Sequence, residues 1–375
     1  MIVSFLILSS LMRLSVCDDL DYDTESYNLT IRMPDVVSEK PDSLLCHAVR
    51  IDPRESYIVS YIPHATADVA HHMMVFGCGE IANNEEPYWA CSENYNNPET
   101  LVCEGGQKQV VFAWALDAPS FQFPEGVGLR IGGTTGINYI VIQLHYKEKF
   151  SHDRTDNSGV TLQMTRTRQP KQAGFYIIGT SGYIPPKHLA FPMETACEYT
   201  NEYPIYPIGY RTHSHNLGVV TSGYRIRGGR WTEVGRMTPQ LPETFYNVTN
   251  LVEVKHGDVL AARCTMNSMK RDGDTNIGPT NSDEMCNFYV LYYTYWQPNL
   301  EAQFCFRDAQ TFHWNDYFEN IPRTASSLAG ISGAEKWCNC HLCSLIHVSI
   351  HSYSSKPKVF WCYEISKVFF QLQYL

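Results

Sequence analysis

The chain has 375 residues, of which 44% are hydrophobic and 18% charged. That composition supports a packed core and a length typical of two domains, and it excludes a largely disordered chain. The formal net charge is −10 and no stripe of Lys and Arg is visible. Nucleic acid is therefore excluded as the expected partner.

Residues 1–17 have the pattern of a signal peptide, with an apolar run from Ile2 to Leu8 and small residues before Cys17. The match is imperfect because the segment before the run carries no Lys or Arg, and Arg13 interrupts the apolar stretch. A short membrane anchor and a wrongly assigned start are the alternatives. No later segment has the roughly 20 apolar residues that a spanning helix needs. We expect a secreted protein, or one held in the lumen of secretory granules.

The 13 cysteines agree with an oxidising compartment. Eight of them fall in two groups of four: Cys46, Cys78, Cys91 and Cys103, then Cys197, Cys264, Cys286 and Cys305. An even number in each half predicts two disulfides per domain, but spacing alone does not give their connectivity. Asn28 and Asn247 begin glycosylation sequons, which matter only in a secreted chain.

Apolar runs of strand length recur between clusters of Gly, Pro, Asn and Asp, as at 57–62, 139–146 and 288–295. This spacing predicts an all-β fold of antiparallel β-sandwiches rather than βαβ units. We place one domain at residues 18–170 and a second at 171–323, with the linker at Gln169–Lys171. Residues 324–375 have no clear period and are expected to be a poorly ordered tail, where a zinc site at Cys338–Cys343 is a weak alternative.

Histidines stand in three groups: His71-His72, His145 and His213-Ser-His215. In a strand, residues i and i+2 share a face, so His213 and His215 can reach one metal ion, and Arg211 lies on the same face. Adjacent His71 and His72 would point to opposite faces of a regular strand. They need a bulge or a strong twist to bind one ion, so this pair is weaker evidence.

A second strand repeats the argument, because Met285, Asn287 and Tyr289 alternate along it. A thioether beside two imidazoles selects Cu(I) over zinc. The plainer alternatives are that a lone His is a surface or satisfied core residue, and that a lone Met is part of the core.

The runs His71-His-Met-Met-Val-Phe-Gly-Cys78, Gln143-Leu-His-Tyr146, Tyr210-Arg-Thr-His-Ser-His215 and Ser282-Asp-Glu-Met-Cys-Asn-Phe-Tyr289 occur in this order along the chain. In these runs the sequence resembles the peptidylglycine α-hydroxylating monooxygenases, which are copper- and ascorbate-dependent enzymes. The resemblance extends over roughly residues 28–322.

The resemblance implies two nine-stranded, jelly-roll-like β-sandwiches with one copper each, facing across a solvent-filled cleft. His71, His72 and His145 match the ligands of the electron-transfer copper, and His213, His215 and Met285 those of the copper that binds dioxygen. Arg211, Asn287 and Tyr289 match residues that hold the peptide carboxylate. Gln143 lies between the two sites, and with Tyr289 it is a candidate catalytic residue. The implied disulfides are Cys46–Cys91, Cys78–Cys103, Cys197–Cys305 and Cys264–Cys286.

The implied reaction consumes O2 and reducing equivalents from ascorbate, and it hydroxylates the α-carbon of the C-terminal glycine of a peptide. A separate lyase would then cleave the hydroxyglycine product. Two alternatives remain: a monoamine β-monooxygenase of the dopamine type, which has the same ligand motifs, and a copper-binding protein without catalysis. Neither explains a carboxylate-binding Arg211 beside Asn287 and Tyr289.

Overall fold

The computed structural model describes residues 25–334, apart from 83–85, 93–99, 106–107, 152, 281, 296, 298–299, 301–302 and 332–333. The expected signal peptide and the cysteines from Cys338 onward lie outside the described residues.

Within the described residues, three short 3₁₀ helices occur at Gly133–Thr135, Trp314–Asp316 and Arg323–Ser326. The strands are β1 (Ser26–Arg32), β2 (Ser43–Arg50), β3 (Ser56–His64), β4 (His72–Cys78), β5 (Trp89–Ala90), β6 (Lys108–Ala115), β7 (Phe121–Gln122), β8 (Val127–Ile131), β9 (Tyr139–Tyr146), β10 (Gly159–Thr165), β11 (Lys171–Ser181), β12 (Tyr183–Ile184), β13 (Phe191–Glu198), β14 (Tyr206–His213), β15 (Gly218–Arg227), β16 (Arg230–Met237), β17 (Tyr246–Asn247), β18 (Val259–Met266), β19 (Thr275–Asn276), β20 (Asn287–Tyr295) and β21 (Gln303–Asp308).

The first half packs one sheet on another. A five-stranded sheet in the order β5-β2-β9-β4-β6 faces the strands β1-β10-β3-β8, and the largest apolar cluster fills the space between them. β9 shows how the sequence produces this packing. Its residues Ile140, Ile142 and Leu144 enter the core, while the alternate residues Gln143 and His145 are on the opposite face of the strand.

The second half repeats the architecture. Strands β21, β11, β20, β14 and β17 pack against a four-stranded sheet in the order β13-β18-β15-β16. Tyr176, Tyr210, Phe288 and Tyr292 are among the large side chains of the core between them. The prediction of a mostly β chain is therefore confirmed, and the predicted apolar runs coincide with strands β3, β9 and β20.

The two halves are joined by hydrogen-bonded strands. β8 of the first half pairs in parallel with the start of β11, where Lys171 lies beside Val127 and Gln172 beside Gly128. A single ten-stranded sheet therefore crosses between the halves. Ala173 and Phe175 of β11 pack into the core of the first half, so the apolar contact continues past the expected boundary.

The described residues contain four disulfides, of which the last two join opposite sheets: Cys46–Cys91, Cys78–Cys103, Cys197–Cys305 and Cys264–Cys286. They are the pairs that the resemblance implies. Cys286 follows Met285 directly, so the last bridge ties the segment that carries this methionine to β18 in the opposite sheet.

Packing continues beyond Arg323, where the sequence suggested a poorly ordered tail. Ala325 is fully buried and its carbonyl accepts a hydrogen bond from Ser222 Oγ, while Leu328 and Ala334 enter the second core. The part of the chain that the structure describes contains no apolar helix of the length that a bilayer crossing requires.

Candidate active site

The first histidine group converges on one point. His72, the first residue of β4, pairs across the sheet with His145 of β9. His71 lies just before the strand, and its backbone N–H donates to the carbonyl of His145. His71, His72 and His145 each offer one ring nitrogen, and these three atoms lie within 4.8 Å of one another. His71 precedes β4, so the regular alternation of that strand does not extend to it.

The arrangement and the pKa values of these three imidazoles suit the binding of a metal ion. His72 Nδ1 is buried and has no hydrogen-bond partner within the described part of the chain. His145 Nε2 lies 3.1 Å from Asp42 Oδ1, which leaves its Nδ1 facing His71 Nδ1 at 3.3 Å. Burial and the neighbouring imidazoles lower the pKa of His71 to about 4, and they lower the pKa of His72 well below its usual value. Neutral rings with inward-facing nitrogens suit copper and related ions.

The second group lies in the other half. His213 ends β14 and its Nε2 lies 3.2 Å from Met285 Sδ. His215 Nδ1 donates to the carbonyl of Asp283 at 2.9 Å, which leaves Nε2 as the other ring nitrogen. This Nε2 is buried and has no partner among the residues that the structure describes. The rings of His213 and His215 have centroids 5.5 Å apart, so this region offers two Nε2 atoms and one thioether as candidate donors. Such a mixture of imidazole and sulfur fits Cu(I).

Two buried glutamates hold this second group, and the sequence analysis missed both. Glu284 accepts backbone N–H groups from His215, Leu217 and Met285 at 2.7, 2.6 and 3.0 Å. It thereby fixes the two ligand-bearing loops to each other, and burial raises its pKa. Its place beside Met285 is a signal that could have been used.

Glu243 is the second of these acids, and its carboxylate contacts both His213 Nδ1 and Arg211 Nη2. Burial alone would raise the pKa of Glu243, but the charges of Arg211 and His213 outweigh burial and lower it. No sequence pattern marks this residue, because it lies 30 positions from His213.

A cavity of about 420 Å³ lies between the two halves. Polar residues from both halves line it: His72, Gln143, Arg211, His213, Asn287 and Tyr289. Met74, Phe76, Ile277 and Phe306 add an apolar wall. Gln143 Nε2 lies 3.4 Å from Cys91 Sγ, so this amide is held against the Cys46–Cys91 bridge. The predicted substrate-binding residues therefore meet in one cavity beside Met285.

Arg211 is the buried cation of this cavity, with 1% of its surface exposed. Its guanidinium lies 5.0 Å from the ring centroid of Tyr289. Burial raises the pKa of the Tyr289 hydroxyl above its usual value. Arg211 Nε donates to the backbone carbonyl of Glu243. Nη1 is buried with no hydrogen-bond partner among the described residues. A buried donor without a partner indicates a place where a ligand can bind.

The two histidine groups face each other directly. The ring centroids of His71 and His215 are 6.1 Å apart, and those of His72 and His213 are 6.3 Å apart. A cavity of only 80 Å³ lies beside them, bounded by Leu116 and Gln240. The resemblance implies a solvent-filled cleft between the sites, whereas this structure brings the imidazoles of the two groups close together.

Both candidate glycosylation sites are on the surface. Asn28 lies on β1 and Asn247 on β17, and both residues are exposed. Each position is therefore accessible to a glycan.

The fold is a two-part β structure, and its histidine groups, of which His71, His72 and His145 converge, are typical of a metalloprotein. Both halves match sequence models of the copper type II ascorbate-dependent monooxygenases. The model of the N-terminal domain matches residues 29–153, and that of the C-terminal domain matches residues 171–318. The chain belongs to this family, whose members are copper enzymes that use ascorbate.

Among relatives, the peptidyl-glycine alpha-amidating monooxygenase of Mus musculus is 38% identical over 308 residues. Form A of the enzyme from Xenopus laevis is 39% identical over 307 residues. Each alignment covers 81% of this chain, but only 30% and 31% of the relatives. The chain thus spans about a third of their length. Dopamine beta-hydroxylase of Canis lupus familiaris is more distant, at 26% identity over 83% of this chain and 51% of its own.

Proposed function

We propose that this protein hydroxylates the α-carbon of the C-terminal glycine of peptides, with two coppers as cofactors, ascorbate as reductant and O2 as co-substrate. The observation that carries the proposal is the unpartnered Nη1 of Arg211 in a buried cavity that Met285 and His213 also line. A carboxylate is the natural partner of a buried guanidinium.

Two coppers would be held by separate donor sets. His71, His72 and His145 would hold the electron-transfer copper through ring nitrogens that already converge. His213, His215 and Met285 would hold the second copper through two Nε2 atoms and one sulfur. Together the coppers supply electrons and activate dioxygen when they are bound.

The protein's own residues supply binding and orientation. Arg211 would anchor the peptide carboxylate, and Asn287 and Tyr289 would contact it from the neighbouring strand. Because Arg211 and His213 share a face of β14, a glycine anchored at Arg211 has its α-carbon close to the second donor set. Gln143 and the apolar wall would limit the water that enters beside the reacting carbon.

We further infer the organisation and location of the chain. Residues 18–170 would form the domain of the electron-transfer copper and residues 171–323 that of the second copper, each a jelly-roll-like sandwich. The disulfides suit an oxidising compartment, and a signal peptide at 1–17 would direct the chain to the secretory lumen, where Asn28 and Asn247 can carry glycans. A separate lyase would take the hydroxyglycine product.

The test is oxygen uptake by copper-loaded protein with ascorbate and three candidate substrates: a glycine-extended peptide, the same peptide as a glycine amide, and a phenethylamine. We expect turnover of the free acid alone, with one hydroxylated product for each O2 consumed. Preference for the phenethylamine would favour the β-monooxygenase alternative. Copper binding without oxygen uptake would favour a non-catalytic copper protein.

A further inference from the structure

Glu243 connects the substrate anchor to a metal ligand. It lies between β16 and β17 with 4% of its surface exposed. Its Oε1 and Oε2 lie 2.7 and 2.9 Å from His213 Nδ1, and Oε2 also pairs with Arg211 Nη2. One carboxylate therefore serves two residues with different tasks.

The contact with His213 determines which ring nitrogen faces the metal. With Nδ1 held by the carboxylate, Nε2 is left to point at Met285 Sδ. A carboxylate behind a histidine ligand fixes its tautomer and makes the ring a stronger donor. Through this contact, Glu243 favours copper binding at the second donor set.

The contact with Arg211 has the opposite effect, because it disfavours binding of the substrate. The Glu243 side chain and backbone carbonyl occupy Nη2 and Nε, so Nη1 remains as the buried nitrogen without a partner. A negative charge in contact with the guanidinium also offsets its attraction for a second carboxylate, since charges interact strongly where water is excluded. Glu243 therefore weakens the hold of Arg211 on a peptide.

We propose that Glu243 is a positioning residue that raises the affinity for copper and lowers the affinity for the peptide. It strengthens copper binding through His213, and it moderates the binding of the peptide carboxylate at Arg211. The second part rests on the proposed function of Arg211, whereas the first part does not. A moderated anchor allows the hydroxylated product, which carries the same carboxylate, to leave.

The test is Glu243→Gln, which removes the charge and keeps the length. Copper affinity is measured by titration against a chelator. Peptide affinity is measured by calorimetry on copper-free protein, with the free acid and the amide of one glycine-extended peptide. We expect copper at the second donor set to bind about 10- to 100-fold more weakly, because a carboxylate behind a ligand contributes on that scale. We expect the free acid to bind roughly tenfold more tightly, as a charge-assisted contact gains strength.

Two further variants separate this role from a structural one. Glu194, equally buried, pairs with Arg263 in the same half, so Glu194→Gln should lower thermal stability and leave both affinities unchanged. Glu243→Asp keeps the charge and should keep peptide affinity near that of the wild type. If the glutamine variant does not fold, Glu243→Met allows the same two titrations.

Opposite shifts in the two affinities support the proposal. Parallel losses that follow thermal stability, or no shift in either affinity, would overturn it and make Glu243 a brace for β14. If the wild-type protein binds acid and amide equally, the assigned role of Arg211 fails instead. The copper titration then still decides the role of Glu243 at His213.

Discussion

Arg211 of β14 and Tyr289 of β20 lie directly opposite each other in the sheet, and the guanidinium rests on the tyrosine ring at 5.0 Å. His213 and Asn287 form the next pair of the same face. On β14 a substrate-binding candidate is thus followed on the same face by a metal-ligand candidate, and two further substrate-binding candidates lie opposite them on β20. A peptide carboxylate and a copper ion can therefore be held a few ångströms apart by one rigid piece of sheet.

Arg211→Gln tests the carboxylate anchor. We expect KM for the free-acid peptide to rise by roughly 10- to 150-fold, since a charge-assisted contact contributes about 1.5–3 kcal/mol. The measurement is kcat/KM for acid and amide forms of one peptide in both proteins. An unchanged acid-to-amide ratio, together with lower thermal stability, would show that Arg211 only braces Glu243 and the strand.

His213→Ala tests the two-copper stoichiometry. The wild-type chain should bind two coppers and the variant one, because the first donor set shares no residue with the second. Turnover should be abolished in the variant. Metal analysis after full loading and desalting gives both numbers, and His47→Ala, a variant of a half-buried histidine hydrogen-bonded to Pro87, serves as control. One copper or fewer in the wild type contradicts the assignment.

Met285→His tests the thioether. A third imidazole should keep copper at this site but favour Cu(II), so most activity should be lost while copper content is retained. Copper analysis and turnover are measured on the same preparation, together with the reduction potential of the bound copper. Near-normal turnover would show that Met285 is a core residue and not a ligand.

Asp258→Asn tests a pair remote from the site. Asp258 accepts Nε and Nη2 of Arg227 at 2.6 and 2.7 Å. Burial alone would raise the pKa of Asp258, but these bonds lower it below its usual 3.8. A depressed carboxyl pKa stabilises the fold above pH 3.8, and this contribution is lost as pH falls through the folded-state pKa.

The variant should therefore be less stable by about 1–3 kcal/mol at neutral pH, and the difference should vanish in acid. Urea unfolding between pH 3 and 7 measures it. Activity per folded molecule should be unchanged, because Asp258 contacts neither donor set. A difference that persists undiminished at the lowest pH would rule out the ionised carboxylate as its source.

Strand periodicity predicted much of the second half of the site. Alternation along β14 and β20 placed Arg211 with His213, and Asn287 with Tyr289, on common faces, whereas His215 and Met285 lie outside these strands. The neighbouring position of these strands and their register depend on long-range pairing, which no local pattern encodes. Glu243 was not predicted for the same reason, since it lies in a loop that returns from a different sheet to contact His213.

The first donor set was harder to predict because strand alternation, which puts neighbouring residues on opposite faces, was applied to His71 as well as to His72. His71 lies outside β4, so its side chain is free of the strand's two-residue period. The close approach of the two histidine groups was also beyond the sequence. It follows from how β8 and β11 join the halves, and this pairing involves only Lys171 and Gln172 of the second half.

The depth of Arg211 has a consequence for the order of events in peptide maturation. The proposed anchor is a buried guanidinium that pairs with an α-carboxylate, and only a free chain end carries that group. A glycine within a precursor loop carries two flanking segments, and both would have to enter the same cavity. For the proposed reaction, the precursor must therefore be cut, and any residues beyond the glycine removed, before this protein acts. The supply of newly made carboxyl termini then limits how much peptide is converted.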